Sequence, residues 1–281
     1  MEPIVLSGKV FSESVMEELK TRVKVLNEHA IHPMLTIVST GHDDASKVYV
    51  RNKIKACEKL NIGVNHIVLD ELNHVNLDRI EENWIDWPMI IQKPITGDVT
   101  DNDVAEFFTR HEDIDVDGFG YGNIAKLASN LNPTFYPCTP KGIMKLLSYY
   151  GIDVYGKNVT IIGRGELVGK PLARMMGNAN ATVTLCHTKT SIIDKRLVCA
   201  QADIIVTATG HRDTLCKFET AGKILVDTGI NRDENGKLVG DINPENFKTC
   251  KAYTPVPGGV GPCTVAMLME NVVEFFERKL K

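Results

Sequence analysis

Tyr49 and Lys53 form a pair whose residue types and spacing are suited to chemistry on a substrate. They lie four residues apart in a stretch, residues 45–60, whose apolar residues recur at helical spacing. Helical geometry puts their side chains within about 40° of each other, beside the apolar stripe rather than inside it. The tyrosine could stack on a flat heteroaromatic ring, and a partly desolvated lysine could transfer protons or polarise a substrate. A surface lysine lying over a tyrosine is the alternative interpretation.

Three polar side chains further along could complete such a site. Gln92 ends the apolar pattern of residues 88–92, and α/β sheets hold their ligand groups at the carboxyl ends of parallel strands. Its amide could therefore orient Lys53. Asp115 and Asp117 lie in a D-V-D-G turn, where either could accept hydrogen bonds from an aminopyrimidine edge. Turn capping is the more usual role of an aspartate before glycine.

The segment TPVPGGVGPCT, residues 254–264, combines fixed and permissive backbone. Its prolines fix φ, and its glycines allow positive φ and close approach of a ligand to the main chain. A helical pattern starting at Val265 follows it. The segment is therefore predicted to form a shaped rim at a helix N-terminus, where free N–H groups favour anions.

A second glycine-rich turn, residues 163–171, lies between a strand pattern and a helix predicted from about Gly169. A pyrophosphate could rest on that helix N-terminus. The spacing G-x-G-x-x-x-G is one residue off the usual dinucleotide fingerprint, so the turn alone fits other α/β folds equally well. After the next strand pattern the chain has His187, Thr188 and Lys189, where NAD-specific sites commonly have an acid. With Arg164 they could hold a 2′-phosphate, which favours NADP and leaves NAD possible; solvated surface positions are the alternative.

The elements that must position these residues alternate between strand and helix patterns. Strands are predicted at residues 34–40, 66–70, 88–92, 158–163, 182–186, 203–210 and 223–229, with a late hairpin at Asn235-Gly236. A new unit is predicted to begin near Thr139, where a helix starts. This order indicates two α/β domains, the second with a parallel sheet, and a last helix that returns to the first domain.

Composition excludes several classes of function. The chain has 281 residues, 43% hydrophobic and 24% charged, with a formal net charge of −4. It has no basic surplus for nucleic acid and no run of ~18 apolar residues for a membrane, so neither partner is expected. The N-terminus lacks an export signal, which predicts a cytoplasmic protein. The seven cysteines are too scattered for a disulfide framework or a metal site, so no metal is expected. A thiol nucleophile at Cys138 or Cys263 is the alternative to buried structural thiols.

Nine motifs occur along nearly the whole chain: A-S-x-x-Y-V-x-x-K-x-K-A-C (45–57), Q-x-P (92–94), D-V-D-G-F (115–119), Y-P-C-T-P-x-G (136–142), I-G-R-x-x-x-V-G-K-P (162–171), C-H-x-K-T (186–190), A-D-I-I-V-x-A-x-G (202–210), V-D-x-G-I-N (226–231) and P-G-G-V-G-P-x-T (257–264). With these motifs, in this order, the chain resembles the bifunctional methylenetetrahydrofolate dehydrogenase/methenyltetrahydrofolate cyclohydrolase family. Nine matches in sequence outweigh the alternative interpretation of each single motif.

The resemblance implies an N-terminal α/β catalytic domain, residues 1–136 plus 263–281, and a Rossmann-type NAD(P)-binding domain with a parallel sheet, residues 137–262. It implies NADP-dependent oxidation of 5,10-methylenetetrahydrofolate to 5,10-methenyltetrahydrofolate, and hydrolysis of that product to 10-formyltetrahydrofolate. It also implies a homodimer that serves one-carbon metabolism and purine biosynthesis.

The resemblance assigns roles to single residues. Lys53 is expected to be the central catalytic group, Gln92 to position it, Tyr49 to stack on the folate and Asp117 to bind the pterin. The folate is also expected to contact the rim residues Pro257, Gly258 and Gly259. The expected dinucleotide contacts are Gly163, Arg164, Gly165, Val168, Gly169, His187, Thr188, Thr209, Gly210 and Ile230.

Five positions depart from the family pattern. Lys93, Ile95 and Thr96 replace the two leucines and the last proline of Q-L-P-L-P, Ile114 replaces a lysine, and Gly165 replaces the serine of G-R-S. They leave open the balance of the two activities and the choice of NADP over NAD. The alternatives are a dehydrogenase with weak cyclohydrolase activity, a catalytically silent folate- or nucleotide-binding protein, and an unrelated two-domain amino-acid dehydrogenase.

Overall fold

The computed structural model describes residues 2–41, 44–215 and 218–280. Within these residues it has eleven β-strands and nine α-helices, which alternate along most of the chain. None of the helices in the described part of the chain is long and apolar enough to span a membrane. Cys216 lies outside the described residues, and the other six cysteines are buried as free thiols.

The chain divides into two compact units. One consists of Met1–Glu13 and Thr139–Thr264 and is called here the six-stranded unit; the other consists of Ser14–Cys138 and Val265–Lys281 and is called the three-stranded unit. The domains expected from the sequence remain a prediction. The division differs from them mainly in the first thirteen residues, because β1 (Ile4–Val5) pairs in parallel with β11 (Ala252–Tyr253) of the six-stranded unit. A strand of two residues has no periodicity from which this pairing could be predicted.

The six-stranded unit contains one parallel sheet. Its remaining strands are β5 (Asn158–Ile162), β6 (Thr182–Cys186), β7 (Ile204–Thr207) and β8 (Ile224–Asp227). Its helices are α6 (Cys138–Tyr149), which begins at the unit boundary, α7 (Gly169–Asn178) and α8 (Ile192–Gln201). The strand order is β1-β11-β8-β7-β5-β6. The late hairpin is confirmed as β9 (Asn231–Arg232) and β10 (Leu238–Val239), which pair antiparallel.

The register of this sheet brings the strand ends together. Ile162 of β5 pairs with Cys186 of β6 on one side and with Thr207 of β7 on the other, and Thr207 pairs with Asp227 of β8. The four strands have four or five residues each and are rich in apolar and β-branched residues. Since the chain leaves β5 for β6 on one side and places β7 on the other, the sheet has a topological switch point there, where α/β proteins bind ligands.

The three-stranded unit has a smaller parallel sheet in the order β3-β2-β4. Its strands are β2 (Met34–Thr40), β3 (Gly63–Leu69) and β4 (Met89–Ile91). Its helices are α2 (Asp44–Leu60), α3 (His74–Trp84), α4 (Asp101–Arg110) and α5 (Tyr121–Ala128). Thr100 and Asp103 form a capping box that starts α4. Two long helices, α1 (Gly8–Glu28) and α9 (Val260–Glu277), contribute residues to both units.

The rim predicted for residues 254–264 is shorter in the structure. Helix α9 begins at Val260, so Gly261 and Pro262 are helical rather than part of a loop. A proline fits there because the first N–H groups of a helix have no acceptor within the helix. Among the glycines of this segment, all of which are described, only Gly258 has a positive φ, +102°.

Candidate active site

Lys53 is a nearly buried lysine on α2. The residue is 8% exposed and lies on the buried face of the helix with Val50, Cys57 and Leu60. The expectation that Lys53 lies beside the apolar stripe is therefore wrong. At 100° per residue, Lys53 lies about 40° from Cys57 and about 20° from Leu60, so it belongs to the stripe itself.

A hydrogen-bond chain fixes the lysine. Lys53 Nζ donates to Gln92 Oε1 at 2.9 Å, and Gln92 Nε2 donates to the backbone carbonyl of Lys93 at 2.7 Å. The second bond settles which end of the amide faces the lysine, because only the NH₂ group can donate. Gln92 is a neutral acceptor, so a proton can move to or from Lys53 without separating an ion pair.

The side chain of Lys93 has its own partners. Its Nζ lies 3.0 Å from Asp101 Oδ1 at the start of α4, and 5.8 Å from the centroid of the Phe119 ring. The positive charge of Lys93 is thus balanced by the Asp101 carboxylate. What orients Gln92 is the main-chain carbonyl of Lys93, which a leucine would supply equally.

The two aspartates of the D-V-D-G turn differ in their surroundings. Asp115 is fully buried; its Oδ1 accepts from Gly118 N at 2.9 Å, and its Oδ2 accepts from Gly120 N at 2.7 Å and Asn123 Nδ2 at 3.0 Å. Burial raises the pKa of Asp115 to about 6. Asp117 is half-buried, and its carboxylate accepts no hydrogen bond from a described residue. Asp115 therefore anchors the turn, which leaves Asp117 for a ligand.

Two contacts place the D-V-D-G turn next to the hydrogen-bonded pair Lys53 and Gln92. Asp115 forms a parallel bridge to Met89, so the turn continues the free side of β4, which runs toward Gln92. Lys93 and Phe119 meet at the end of the turn. Helix α9 adds a clamp, because Asn271 Nδ2 donates to the carbonyl of Val116 at 2.8 Å.

The structure thus brings together three of the four predicted catalytic residues at one sheet edge of the three-stranded unit. Lys53 and Gln92 are in direct contact, and Asp117 lies on the adjacent loop. Tyr49 is half-buried one turn before Lys53 on the same helix.

The predicted dinucleotide residues lie on the connections at the carboxyl edge of the parallel sheet in the six-stranded unit. The connection after β5 carries Gly163, Arg164, Gly165 and Val168, with Gly169 opening α7; His187 and Thr188 follow β6, Thr209 and Gly210 follow β7, and Ile230 follows β8. This edge includes the switch point between β5 and β7.

Gly163 shows how tightly the switch point is built. Its φ is +121°, and a Cβ there would lie 2.0 Å from the carbonyl oxygen of Ala208, in the segment after β7. No side chain fits between the two connections. Helix α7 then begins at Gly169 with no side-chain cap. Lys170 donates its N–H to the Gly165 carbonyl at 3.1 Å and Pro171 has no N–H, so the donor that the helix start offers to an anion is the N–H of Gly169. The glycine-rich turn thus has room and one backbone donor for the pyrophosphate of a dinucleotide.

The connection after β6 consists of polar and basic residues and contains no aspartate or glutamate. His187 Nδ1 accepts from the backbone N–H of Lys189 at 3.1 Å, so a neutral ring carries its proton on Nε2 and can donate to a phosphate. Thr188, Lys189 and Arg164 are exposed. These donors fit the 2′-phosphate of NADP better than the bare ribose of NAD.

The rim begins at the same sheet edge. Thr254, which follows β11, is buried, and its Oγ1 accepts from Asp227 N at 2.7 Å. The Gly258 carbonyl accepts from Lys9 N at 3.0 Å, and Pro257 is exposed. Pro257, Gly258 and Gly259 thus belong to the unit that carries the dinucleotide residues.

Sequence reasoning missed Asn271 and two buried aspartates, Asp227 and Asp241. The available signal for Asp227 was an acid that ends an apolar strand pattern before Gly229. The alternative of a thiol nucleophile is not favoured at Cys263, because burial raises the pKa of that thiol to about 12.

Both halves of the chain match one protein family. The catalytic domain of tetrahydrofolate dehydrogenase/cyclohydrolase matches residues 6–115, and the NAD(P)-binding domain of the same family matches residues 137–280. The chain belongs to the tetrahydrofolate dehydrogenase/cyclohydrolase family. Asp117 falls between the two matched ranges.

Named relatives agree with this family. The bifunctional protein FolD of Acetivibrio thermocellus is 40% identical, over 98% of this chain and 97% of its own. The crystal structure of bifunctional FolD from Campylobacter jejuni is 39% identical with a TM-score of 0.90 and covers 98% of this chain and 99% of that one. FolD of Trypanosoma brucei, solved with NADP cofactor and an inhibitor, is 28% identical with a TM-score of 0.91, over 100% and 99% of the two chains.

These findings confirm the family, the two-domain α/β fold class and the enzymatic class predicted from the sequence. Both parts of a bifunctional folate dehydrogenase/cyclohydrolase are present in the chain, and the NAD(P)-binding domain confirms a nicotinamide dinucleotide as cofactor. The roles of single residues remain predictions.

Proposed function

We propose that this chain oxidises 5,10-methylenetetrahydrofolate with NADP⁺ and then hydrolyses the methenyl product to 10-formyltetrahydrofolate. The observation that carries the proposal is the contact of Lys53 with Gln92, a nearly buried amine held by a neutral amide at a sheet edge. Hydrolysis of a methenyl cation needs proton handling near a positive charge, and an amine with no ion-pair partner among the described residues suits that task.

Folate binding is assigned to the side chains around this amine. Tyr49 offers a flat ring for stacking, and the Asp117 carboxylate can accept hydrogen bonds from the amino-pyrimidine edge of the pterin. Asp115 and Asn271 hold the loop that carries Asp117. Pro257, Gly258 and Gly259 are assigned as backbone contacts of the folate.

Dinucleotide binding is assigned to the edge of the six-stranded sheet. When bound there, the nicotinamide would accept the hydride from the methylene carbon of the folate. The protein's part is to fix the approach of two flat rings, because hydride departure needs no proton acceptor. Arg164, His187, Thr188 and Lys189 support NADP over NAD, as does the NADP found in the Trypanosoma brucei relative.

We further propose a cytoplasmic homodimer whose 10-formyltetrahydrofolate serves purine biosynthesis. The family membership supports this proposal, and sedimentation of the purified protein tests the dimer.

The test is a spectrophotometric assay of purified protein with 5,10-methylenetetrahydrofolate and either NADP⁺ or NAD⁺. Reduced cofactor and methenyltetrahydrofolate are followed as separate signals. Cofactor reduction without methenyl accumulation is expected, with a higher kcat/KM for NADP⁺. Methenyl accumulation would instead indicate a dehydrogenase with weak cyclohydrolase activity, and no reduction with either cofactor would overturn the proposal.

The role of Lys53 has its own test. Lys53→Met is expected to retain measurable folate binding and to lose cyclohydrolase turnover by at least about a hundredfold, the range of general acid–base catalysis. Exposed Lys55→Met on the same helix is the matched control. Hydrolysis of methenyltetrahydrofolate by Lys53→Met at the wild-type rate would show that the assignment is wrong.

A further inference from the structure

Two aspartates are buried next to the loops that follow β7 and β8. Asp227 is 1% exposed and Asp241 is 0% exposed. Both carboxylates are surrounded by hydrogen-bond donors from the backbone and from neutral side chains. Burial raises the pKa of Asp227 to about 6, and the nearby charge of Asp241 contributes to the rise. An arrangement that costs free energy in this way needs an explanation.

Asp227 fixes the position of Asp241. Its Oδ1 accepts from the N–H groups of Gly229 at 2.8 Å and Asp241 at 2.9 Å, and its Oδ2 accepts from Ile242 N at 2.9 Å. These bonds hold the backbone of Asp241 and Ile242 at the end of β8.

Asp241 in turn joins the two loops. Its Oδ2 accepts from the N–H of Thr209 at 2.7 Å, the hydroxyl of Thr209 at 2.9 Å and the N–H of Gly210 at 3.2 Å. Its Oδ1 accepts from Asn231 Nδ2 at 2.8 Å. Thr209 and Gly210 follow β7, and Asn231 adjoins Ile230 in the connection after β8. A single carboxylate therefore ties down loops that carry three predicted dinucleotide contacts.

The packing around both carboxylates is close. A Cβ at Gly229 would lie 2.2 Å from Oδ1 of Asp241, and a Cβ at Gly240 would lie 2.0 Å from Oδ2 of Asp227. Each carboxylate occupies the space that a side chain on the facing glycine would need.

We infer that Asp241 is a positioning residue for dinucleotide binding, which holds the loops after β7 and β8 in the arrangement that receives the cofactor. The inference rests on the proposed function, since it requires the dinucleotide to bind at these loops. The hydrogen-bond chemistry explains the residue type. Four donors point at two oxygens, and an ionised carboxylate accepts at both without presenting a donor of its own. An asparagine would offer one oxygen and turn an NH₂ group toward a donor.

The experiment measures NADP⁺ binding by calorimetry, together with both activities, in the full-length protein. Asp241→Asn is expected to raise the Kd and KM for NADP⁺ by about tenfold, which corresponds to about 1.4 kcal/mol. The KM for methylenetetrahydrofolate and the cyclohydrolase rate are expected to stay within about twofold, because hydrolysis needs no dinucleotide. Asp213→Asn changes an exposed aspartate nearby and serves as the matched control.

The outcomes separate this inference from the proposed function. Failure of the wild-type protein to bind NADP⁺ would overturn the function. A functional wild type and an Asp241→Asn variant with unchanged NADP⁺ affinity would overturn the inference alone, as would an equal loss of both activities. If Asp241→Asn does not fold, Asn231→Ala removes the donor to Asp241 Oδ1 and is expected to raise the Kd about threefold, again with unchanged cyclohydrolase activity; an unchanged Kd would overturn the inference.

Discussion

Replacement of Gly163 by alanine is the sharpest test of the proposal that the dinucleotide binds at the carboxyl edge of the six-stranded sheet. The glycine has a φ of +121°, and its Cβ position lies 2.0 Å from the carbonyl oxygen of Ala208. An ordinary contact begins near 3.4 Å, so the connections after β5 and β7 must separate by more than an ångström. Strained backbone costs about 1–3 kcal/mol and overpacking costs a similar amount, so the expected loss is about 2–6 kcal/mol.

Two measurements check this expectation. Scanning calorimetry should show a Tm lower by about 4 °C or more, because each kcal/mol lowers the Tm by about 2–4 °C in a domain of this size class. Calorimetric titration should show NADP⁺ affinity reduced at least about tenfold, since the moved turn is the one proposed to bind the pyrophosphate. Gly177→Ala is the control: it lies on α7, has no heavy atom within 4 Å of its Cβ position and is expected to be neutral or slightly stabilising.

The result that refutes the reasoning is specific. If Gly163→Ala melts like Gly177→Ala and binds NADP⁺ with wild-type affinity, the two connections can separate freely. The close approach at the switch point would then have no part in shaping the site.

Two further predictions concern the three-stranded unit. Burial raises the pKa of Asp115 to about 6 in the folded protein, against an ordinary 3.8, so the folded state binds the proton more tightly than the unfolded state. The free energy of unfolding is therefore expected to fall as pH rises from about 4 to about 7. Urea unfolding across that pH range should show that the free energy of unfolding of the wild type falls by up to about 3 kcal/mol more than that of Asp115→Asn. The same pH dependence in both proteins would contradict this. Lys93→Leu should keep cyclohydrolase activity within about twofold because the main chain orients Gln92, whereas Gln92→Leu should lower it at least about tenfold. Equal losses in the two variants would assign the role to the Lys93 side chain.

The position of the predicted dinucleotide residues, at the carboxyl edge of the six-stranded sheet, could be predicted from the sequence because the patterns that indicate it are local. Each strand is a short run rich in apolar and β-branched residues, and a glycine follows three of the four runs within three residues: Gly163 after β5, Gly210 after β7 and Gly229 after β8. A parallel sheet then brings all the strand ends to one edge, whatever the order of the strands. The start of α9 could not be predicted in the same way, because proline and glycine are as common in the first turn of a helix as in a loop.

The burial of Lys53 and of Asp241 could not be predicted from local patterns, because their partners are distant in the sequence. Periodicity predicts the outer face of a helix for a lysine, and the acceptor that Lys53 meets on the inner face, Gln92, lies 39 residues away in the sequence. Asp241 likewise depends on Thr209, 32 residues away. Local patterns report which side of an element is apolar, and they carry no information on a donor or acceptor supplied by another element.

The same argument links stability to activity at Lys53. Lys53 as a whole residue is 8% exposed, and the described hydrogen bond of its amine is to a neutral amide rather than to a carboxylate. Lys53→Met removes the buried charge and leaves Gln92 Oε1 without its donor, at a cost of about 1–3 kcal/mol. The relief of desolvation is of similar size or larger, so the Lys53→Met variant should melt within about 2 °C of the wild type or above it. A Tm many degrees lower would mean that Lys53 is retained for the fold; an equal or higher Tm means that its burial is a cost accepted for catalysis.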